Sequence, residues 1–178
     1  MILHEDASPT SDPAPDNRAG WDAISAAYQD QCFGERYGER FMWSWTLSED
    51  DLHLLDDVRG KRVIVLGCGG GQDVVALDRM GAMAVGIDQS ERQIEYARKF
   101  AARHIAANAS FVVGTVEDLS RFDDGSFDAA VSAHMLNYVE RIEQTLRETA
   151  RVLKPGGSFA LSVRHPADVM LSDQIPHR

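Results

Sequence analysis

The stretch Val63 to Val75, VIVLGCGGGQDVV, constrains this chain more than any other. Its continuous apolar run reads as a short strand buried on both faces. The run ends in Gly67, Gly69, Gly70 and Gly71, and a helical pattern follows at once. Glycine reaches positive φ without strain and carries no side chain, so such a loop lets something approach the backbone closely. Downstream, strand and helix keep alternating. QDVVALDRMG reads as a helix, AMAVGID as a strand, and SERQIEYARKFAARHIA as a long helix capped by Ser90. ASFVVG and FDAAVSA read as strands, RIEQTLRETARVL as a helix, KPGG as the turn that closes it, and SFALSV as a fifth strand. This order predicts an α/β fold: a doubly wound, mostly parallel sheet with helices on both faces.

Before the sheet, residues 1–18 are acidic and Pro-rich with little to bury, and are expected to be a disordered tail. Trp21, Ile24, Ala27 and Tyr28 then stand at helical spacing. Tyr37, Phe41, Trp43 and Trp45 form an aromatic, Gly-broken stretch read as a loop or short turn of helix. SEDDLHLLDDV is predicted as a helix with Ser48 as N-cap and Leu52, Leu55 and Val58 on its apolar face.

A net charge of −10 leaves no concentrated basic patch to neutralise phosphates, so a nucleic-acid partner is not expected. The two cysteines, Cys32 and Cys68, lie far apart, and no Cys/His cluster has zinc spacing, so no metal site is expected. Reduced thiols fit a cytoplasmic protein. No apolar run approaches the ~18 residues of a membrane span, and the N-terminus lacks a signal-peptide pattern. Cytoplasmic localisation is the expectation.

Open α/β sheets bind ligands outside the carboxyl ends of their strands. The first strand ends at Leu66, before the glycines, and the second ends at Ile87-Asp88, about 20 residues after the first glycine. There the Asp88 carboxylate could accept hydrogen bonds from two ribose hydroxyls, at ~1.5–3 kcal/mol each. A glycine turn alone could be a tight connection, and an Asp at a strand end could be a helix cap. The two together in this order read as a nucleoside site. The dinucleotide pattern GxGxxG needs a third glycine where this chain has Gln72, and there is no P-loop lysine motif. The ligand is therefore expected to lack a pyrophosphate.

On these residues the chain resembles the class I S-adenosylmethionine-dependent methyltransferases, from about Trp21 to its end. VIVLGCGGG is similar to the family's first motif and VGIDQSERQIEYAR to its second. GTVEDLSRFDDGSFDAAVSAHMLNYV and RETARVLKPGGSFALSV are similar to the blocks around the fourth and fifth strands. The resemblance implies a Rossmann-like methyltransferase fold, with S-adenosylmethionine as cofactor and S-adenosylhomocysteine as product. Gly67, Cys68 and Gly69 would pass the methionine part, and Gly71 would also belong to the cofactor-binding loop. Asp88 would hold the ribose, with Gln89 close by. Thr115, Val116 and Glu117 would frame the adenine. Ala133 and His134 would face the methionine end and the methyl group, and Tyr28 would belong to a helix that lids the cofactor. Residues 19–60 become an N-terminal helical lid and substrate segment, and 61–178 the cofactor-binding core.

The chain departs from the family pattern at Val65, often acidic in relatives, and at Thr115, usually Asp. The family fold has seven strands with an antiparallel edge, whereas five are counted here. The expectation is a C-terminally incomplete core, or a sheet completed in another way. In-line methyl transfer needs alignment and a dry pocket, and a general base only where the acceptor must lose a proton. His165, just past the fifth strand, is the first candidate for base or substrate contact, and His134 the second; capping and packing are their alternatives. The aromatic stretch could pack or line an acceptor pocket. The acceptor is expected to be a small molecule. The oligomeric state is open, with a homodimer one possibility. The rival functions are a non-catalytic cofactor-binding module or partner subunit, and a nicotinamide-dependent oxidoreductase.

Overall fold

The computed structural model describes residues 17–29, 38–44 and 46–163. Helix α1 spans Asn17–Tyr28, so Asn17 and Arg18, assigned above to the tail, open a helix instead. The sheet is built from β1 (Arg62–Leu66), β2 (Met83–Asp88), β3 (Ala109–Val113), β4 (Phe127–Ala133) and β5 (Leu153–Ser162). The connecting helices are α3 (Gln72–Arg79), α4 (Glu91–Arg103) and α5 (Ile142–Val152). Strand order is β3-β2-β1-β4-β5, and every pairing is parallel. The chain leaves β1 toward β2 and β3, then returns to place β4 on the other side of β1. The carboxyl ends of β1 and β4 are thus the point where the winding reverses, and a crevice opens there.

Alternation along β1 shows that both faces are covered. Val63 and Val65 join a core with Val74 and Leu77 of α3 and Ile94 of α4. Ile64 and Leu66 join a second core with Leu119, Phe127 and Val152. These four residues of β1 are buried. That is why the strand reads as an unbroken apolar run rather than as alternation.

Two elements differ from the sequence reading. The helix after Ser48, α2, is only Glu49–Leu52, and His53 ends it in the left-handed region at φ 50°. The start is well capped: the Asp51 carboxylate accepts from both the Ser48 N–H (2.9 Å) and its hydroxyl (2.6 Å). The end is set by Glu49. Its buried carboxylate accepts the indole N–H of Trp43 (2.6 Å) and the N–H groups of Leu54 (3.1 Å) and Leu55 (2.7 Å). A longer helix would have used those two N–H groups internally. The second difference is KPGG, which is a bulge inside β5 rather than a turn before it. Leu153 stands opposite Phe127, and Ser158 is the residue opposite Ala129. Lys154 anchors the bulge through its ammonium on Asp128 (2.6 Å).

One glycine inside the sheet fixes how closely the loop after β1 can pack. A Cβ on Gly86, in β2, would lie 2.7 Å from Cys68 Sγ and 2.8 Å from Val74 Cγ2. Gly86→Ala is expected to lower stability by about 1–3 kcal/mol in urea unfolding. An unchanged midpoint would mean that the glycine loop does not sit this tightly on β2.

Candidate active site

The loop after β1 folds back across the end of β2. The N–H groups of Gly67 (2.9 Å) and Cys68 (3.0 Å) both donate to the Ile87 carbonyl. The Asp88 carboxylate then holds the loop from below. Oδ2 accepts the Gly69 N–H and Oδ1 accepts the Ser90 N–H, each at 2.9 Å. One acid thereby joins the glycine loop, the end of β2 and the first turn of α4. A carboxylate offers about four lone-pair sites, so roughly two remain for another donor. Burial, with Asp22 nearby, outweighs the backbone donors and raises the Asp88 pKa above the usual carboxylate value.

The glycines serve different neighbours. A Cβ on Gly67 would overlap Met135, and one on Gly70 would overlap the Gln29 carboxamide. At Gly71 it would come within 2.8 Å of Ala97 and Phe111. Only Gly69, at φ 50°, has nothing closer than 3.9 Å. Most of this loop is therefore glycine because other parts of the protein press on it. Gly69 alone keeps open space above its Cα.

Over the loop lies a cleft of about 200 Å³. It brings together every sequence-selected residue from Tyr28 to His134 except Gly71: Tyr28, Gly67, Cys68, Gly69, Asp88, Gln89, Thr115, Val116, Glu117, Ala133 and His134. Gly71 instead caps α3 at φ 82°. Glu117 is held by Arg141 through its backbone N–H (3.0 Å) and Nε (2.7 Å). Although burial opposes it, these contacts keep the Glu117 carboxyl below its ordinary pKa. His134 takes the left-handed region at φ 61°, and its N–H donates to Ser162 (3.0 Å). A 3-10 turn, Met135–Tyr138, follows it. The Cys68 thiol is pushed well up by burial, with Asp88 adding to the effect, which makes it a filler rather than a nucleophile.

The aromatic stretch divides. Phe41 and Trp43 are 1% and 2% exposed and pack in the core with Val65, their rings 4.7 Å apart. They do not line the cleft, which corrects the acceptor-pocket alternative for these two. Met42 between them does line it, as does Ser44. Tyr37 and Trp45 lie outside the described residues, as do Cys32 and His165.

The sequence reading passed over four features. Trp21 of α1 meets Tyr28 (5.4 Å) and Tyr138 (5.3 Å) edge-on, forming an aromatic wall. Three glutamines close α1 over the loop: Gln72 Nε2 donates to Gln29 Oε1 (2.6 Å), and Gln29 Nε2 donates to Gln93 Oε1 (2.7 Å). Asp22 accepts the Ser90 hydroxyl at 2.5 Å, tying the same helix to α4. Asp73, in the first turn of α3, also lines the cleft. Burial raises its pKa to about 7 against a single backbone donor, the Met42 N–H at 3.2 Å. Of these, Asp73 had a possible sequence signal, an acid two residues after the glycine loop. The glutamines had none.

The lining has a plain electrostatic character. Asp73, Asp88 and Glu117 line the cleft, and no Lys or Arg does, among the described residues. A pyrophosphate would meet the carboxyl groups of Asp73 and Asp88, with the third acid, Glu117, already held by Arg141, and no Lys or Arg among the described lining residues. A nucleoside carrying positive charge meets the opposite situation, with lone pairs on Asp88 for hydroxyls and apolar walls at Val116, Trp21 and Tyr138. The residues present fit S-adenosylmethionine.

Fold and cleft define a Rossmann-like protein with a nucleoside-type crevice. More narrowly, the chain belongs to the methyltransferase-domain family, whose model matches residues 64–161. Members of this family use S-adenosylmethionine. The chain is 36% identical over 118 residues to a ubiquinone biosynthesis O-methyltransferase of Xanthomonas oryzae pv. oryzae, covering 65% of this chain and 49% of that protein. It is 38% identical over 112 residues to a fatty-acid O-methyltransferase of Mycolicibacterium smegmatis, covering 62% and 39%. The chain spans about half the length of the curated relatives it matches. Among solved structures, an S-adenosylmethionine-dependent methyltransferase from Mesorhizobium loti aligns at TM-score 0.59 and 32% identity, over 65% of this chain and 52% of that one. The cyclase SpnF aligns at TM-score 0.71 and 25% identity, over 89% and 65%. No helix among the described residues is long and apolar enough to cross a membrane.

Asp73 links the cleft to stability. It binds its proton more tightly folded, with a pKa of about 7, than at its ordinary 3.8. The folded state therefore holds the extra proton between those values, and stability falls as pH rises from about 4 to 7. Asp73→Asn keeps an acceptor for Met42 and removes the charge. It is expected to stabilise the free protein by roughly 2–4 kcal/mol at pH 8 and hardly at all at pH 4. Denaturant unfolding at the two pH values checks this; equal effects at both would show that charge is not involved.

Proposed function

We propose that this chain is an S-adenosylmethionine-dependent methyltransferase acting on a small-molecule acceptor. The observation that carries the reading is the acidic lining, with no Lys or Arg among the described lining residues, beside a glycine loop held by Asp88. It favours a cationic nucleoside over a dinucleotide, in line with Gln72 in place of a third glycine. The bound cofactor supplies a methyl group activated by a sulfonium.

The chain's own residues bind, orient and exclude water. Asp88 accepts from the ribose hydroxyls, with its direction already fixed by the Gly69 and Ser90 N–H groups. Thr115, Val116 and Glu117 frame the adenine, and Gln89 lies beside the ribose. The backbone from Gly67 to Gly69 passes the methionine portion, with Gly69 giving the clearance. Trp21 and Tyr28 carry the α1 side of the cleft and keep water from the transfer line. Such alignment and exclusion supply most of what an in-line displacement asks of a protein. Ala133 and His134, at the end of β4, stand where the acceptor meets the methyl group. His165 remains the first candidate for a base if the acceptor must lose a proton. The named relatives that methylate at oxygen make a hydroxyl or carboxyl acceptor the reading to try first. The likeness to SpnF supports a second reading, in which the fold serves chemistry other than methyl transfer.

Calorimetric titration tests the proposal. S-adenosylmethionine and S-adenosylhomocysteine should bind and NAD should not. Asp88→Ala should weaken both nucleosides more than tenfold while circular dichroism stays unchanged. Wild-type affinity in that variant would overturn the ribose assignment, and NAD binding would overturn the cofactor.

A further inference from the structure

We propose that Asp73 is the counter-charge for the α-ammonium group at the amino-acid end of the bound S-adenosyl ligand, an inference that rests on the reading of the cleft above. Asp73 lines the cleft from the first turn of α3, and its carboxylate accepts from Met42, another lining residue. Among the described residues its one hydrogen bond is the N–H of Met42, and no Lys or Arg pairs with it. Cys68, its neighbour in the loop, and Asp88, which lines the same cleft, bring no positive charge. A carboxylate taken out of water with one neutral donor is costly unless a cation joins it. The strand that feeds the loop offers no substitute, because Val65 is buried in the apolar core beside Phe41 and Trp43.

Position points to the same group. In the sheet, β3, β2 and β1 lie side by side. The segments that follow them carry, in turn, Thr115 to Glu117, then Asp88, then the glycine loop, whose Cys68 lies close enough to Asp73 to feel its charge. Neighbouring strands are about 4.8 Å apart, so these groups succeed one another across the crevice in steps of that order. An S-adenosyl ligand laid in this direction presents adenine, ribose and amino acid in the same succession. An acid in the first turn of α3 would also favour the helix dipole. That role is served by a fully exposed acid, whereas Asp73 is half-buried and lines the cleft.

The test compares two ligands that differ at this end only. S-adenosylhomocysteine carries the amino acid; 5′-methylthioadenosine has the same adenosine and thioether without it. Wild-type protein should bind S-adenosylhomocysteine more tightly. Asp73→Asn should weaken S-adenosylhomocysteine at least tenfold and leave 5′-methylthioadenosine within about twofold of wild type. Unchanged S-adenosylhomocysteine affinity would overturn the assignment, as would an equal loss for both ligands, which would mark a structural role. Failure of wild type to bind S-adenosylhomocysteine at all would bring down the cofactor reading and this inference with it. Normal wild-type binding with an indifferent variant would bring down the inference alone.

Discussion

The cleft depends on one carboxylate reaching two backbone N–H groups. Asp88 ends β2, and its two oxygens take the Gly69 and Ser90 N–H groups. Without that joint, the loop after β1 would have a donor pointing into a buried crevice with no acceptor, and α4 would start less firmly. Paired sheet strands place the acid there: Leu66 lies opposite Ile87, so the ends of β1 and β2 are level. The loop leaves one strand at the height where the other presents its side chain. A site residue and a structural brace are thus the same residue. Binding at the free lone pairs then asks for little rearrangement.

Closure over the top of the loop is polar. Of the α1 side chains, Ser25 is the buried one, and the helix is held by Asp22 and Ser25 against Ser90 and by Gln29 just beyond its end. Arg18 with Glu91, and Asn17 with the Tyr138 carbonyl, add exposed contacts. Little apolar area anchors this helix compared with the two cores on either face of the sheet. Elements held mainly by hydrogen bonds sit at the low-stability end of a protein and open locally before the rest. This is a suitable place for the wall of a cleft that must admit and release a ligand.

Much of this was legible in the sequence wherever a local pattern carried it. The five strands, their helices, the glycine loop and Asp88 all lie in VIVLGCGGG, VGIDQS and the blocks after them, because buried strands and capped helices leave short-range signatures. Where a distant side chain intervened, the pattern misled. Leu52, Leu55 and Val58 have helical spacing, yet Glu49 captures the N–H groups that a longer helix needs. KPGG has the composition of a turn, but Leu153 pairs with Phe127 before it, and the four residues become a bulge. Phe41 and Trp43 could have lined a pocket or a core, and Val65 decided for the core. Asp73 looks like an ordinary acid in a first helical turn until the Phe41–Trp43 segment folds over it. The glutamines come from three separate elements, and nothing in their spacing announces that they meet.

Those three amides have a consequence for how the protein can vary. Gln29 spends its donor on Gln93 and its acceptor on Gln72, and its carboxamide fills the room that Gly70 leaves by having no side chain. Loss of any member leaves buried polar groups of the others without partners, a penalty of about 1–3 kcal/mol for each group. A side chain at Gly70 would displace Gln29 and so disturb the other two. The four positions are therefore physically coupled: a change at one disturbs the packing or hydrogen bonding of the rest, across a chain distance that hides their connection.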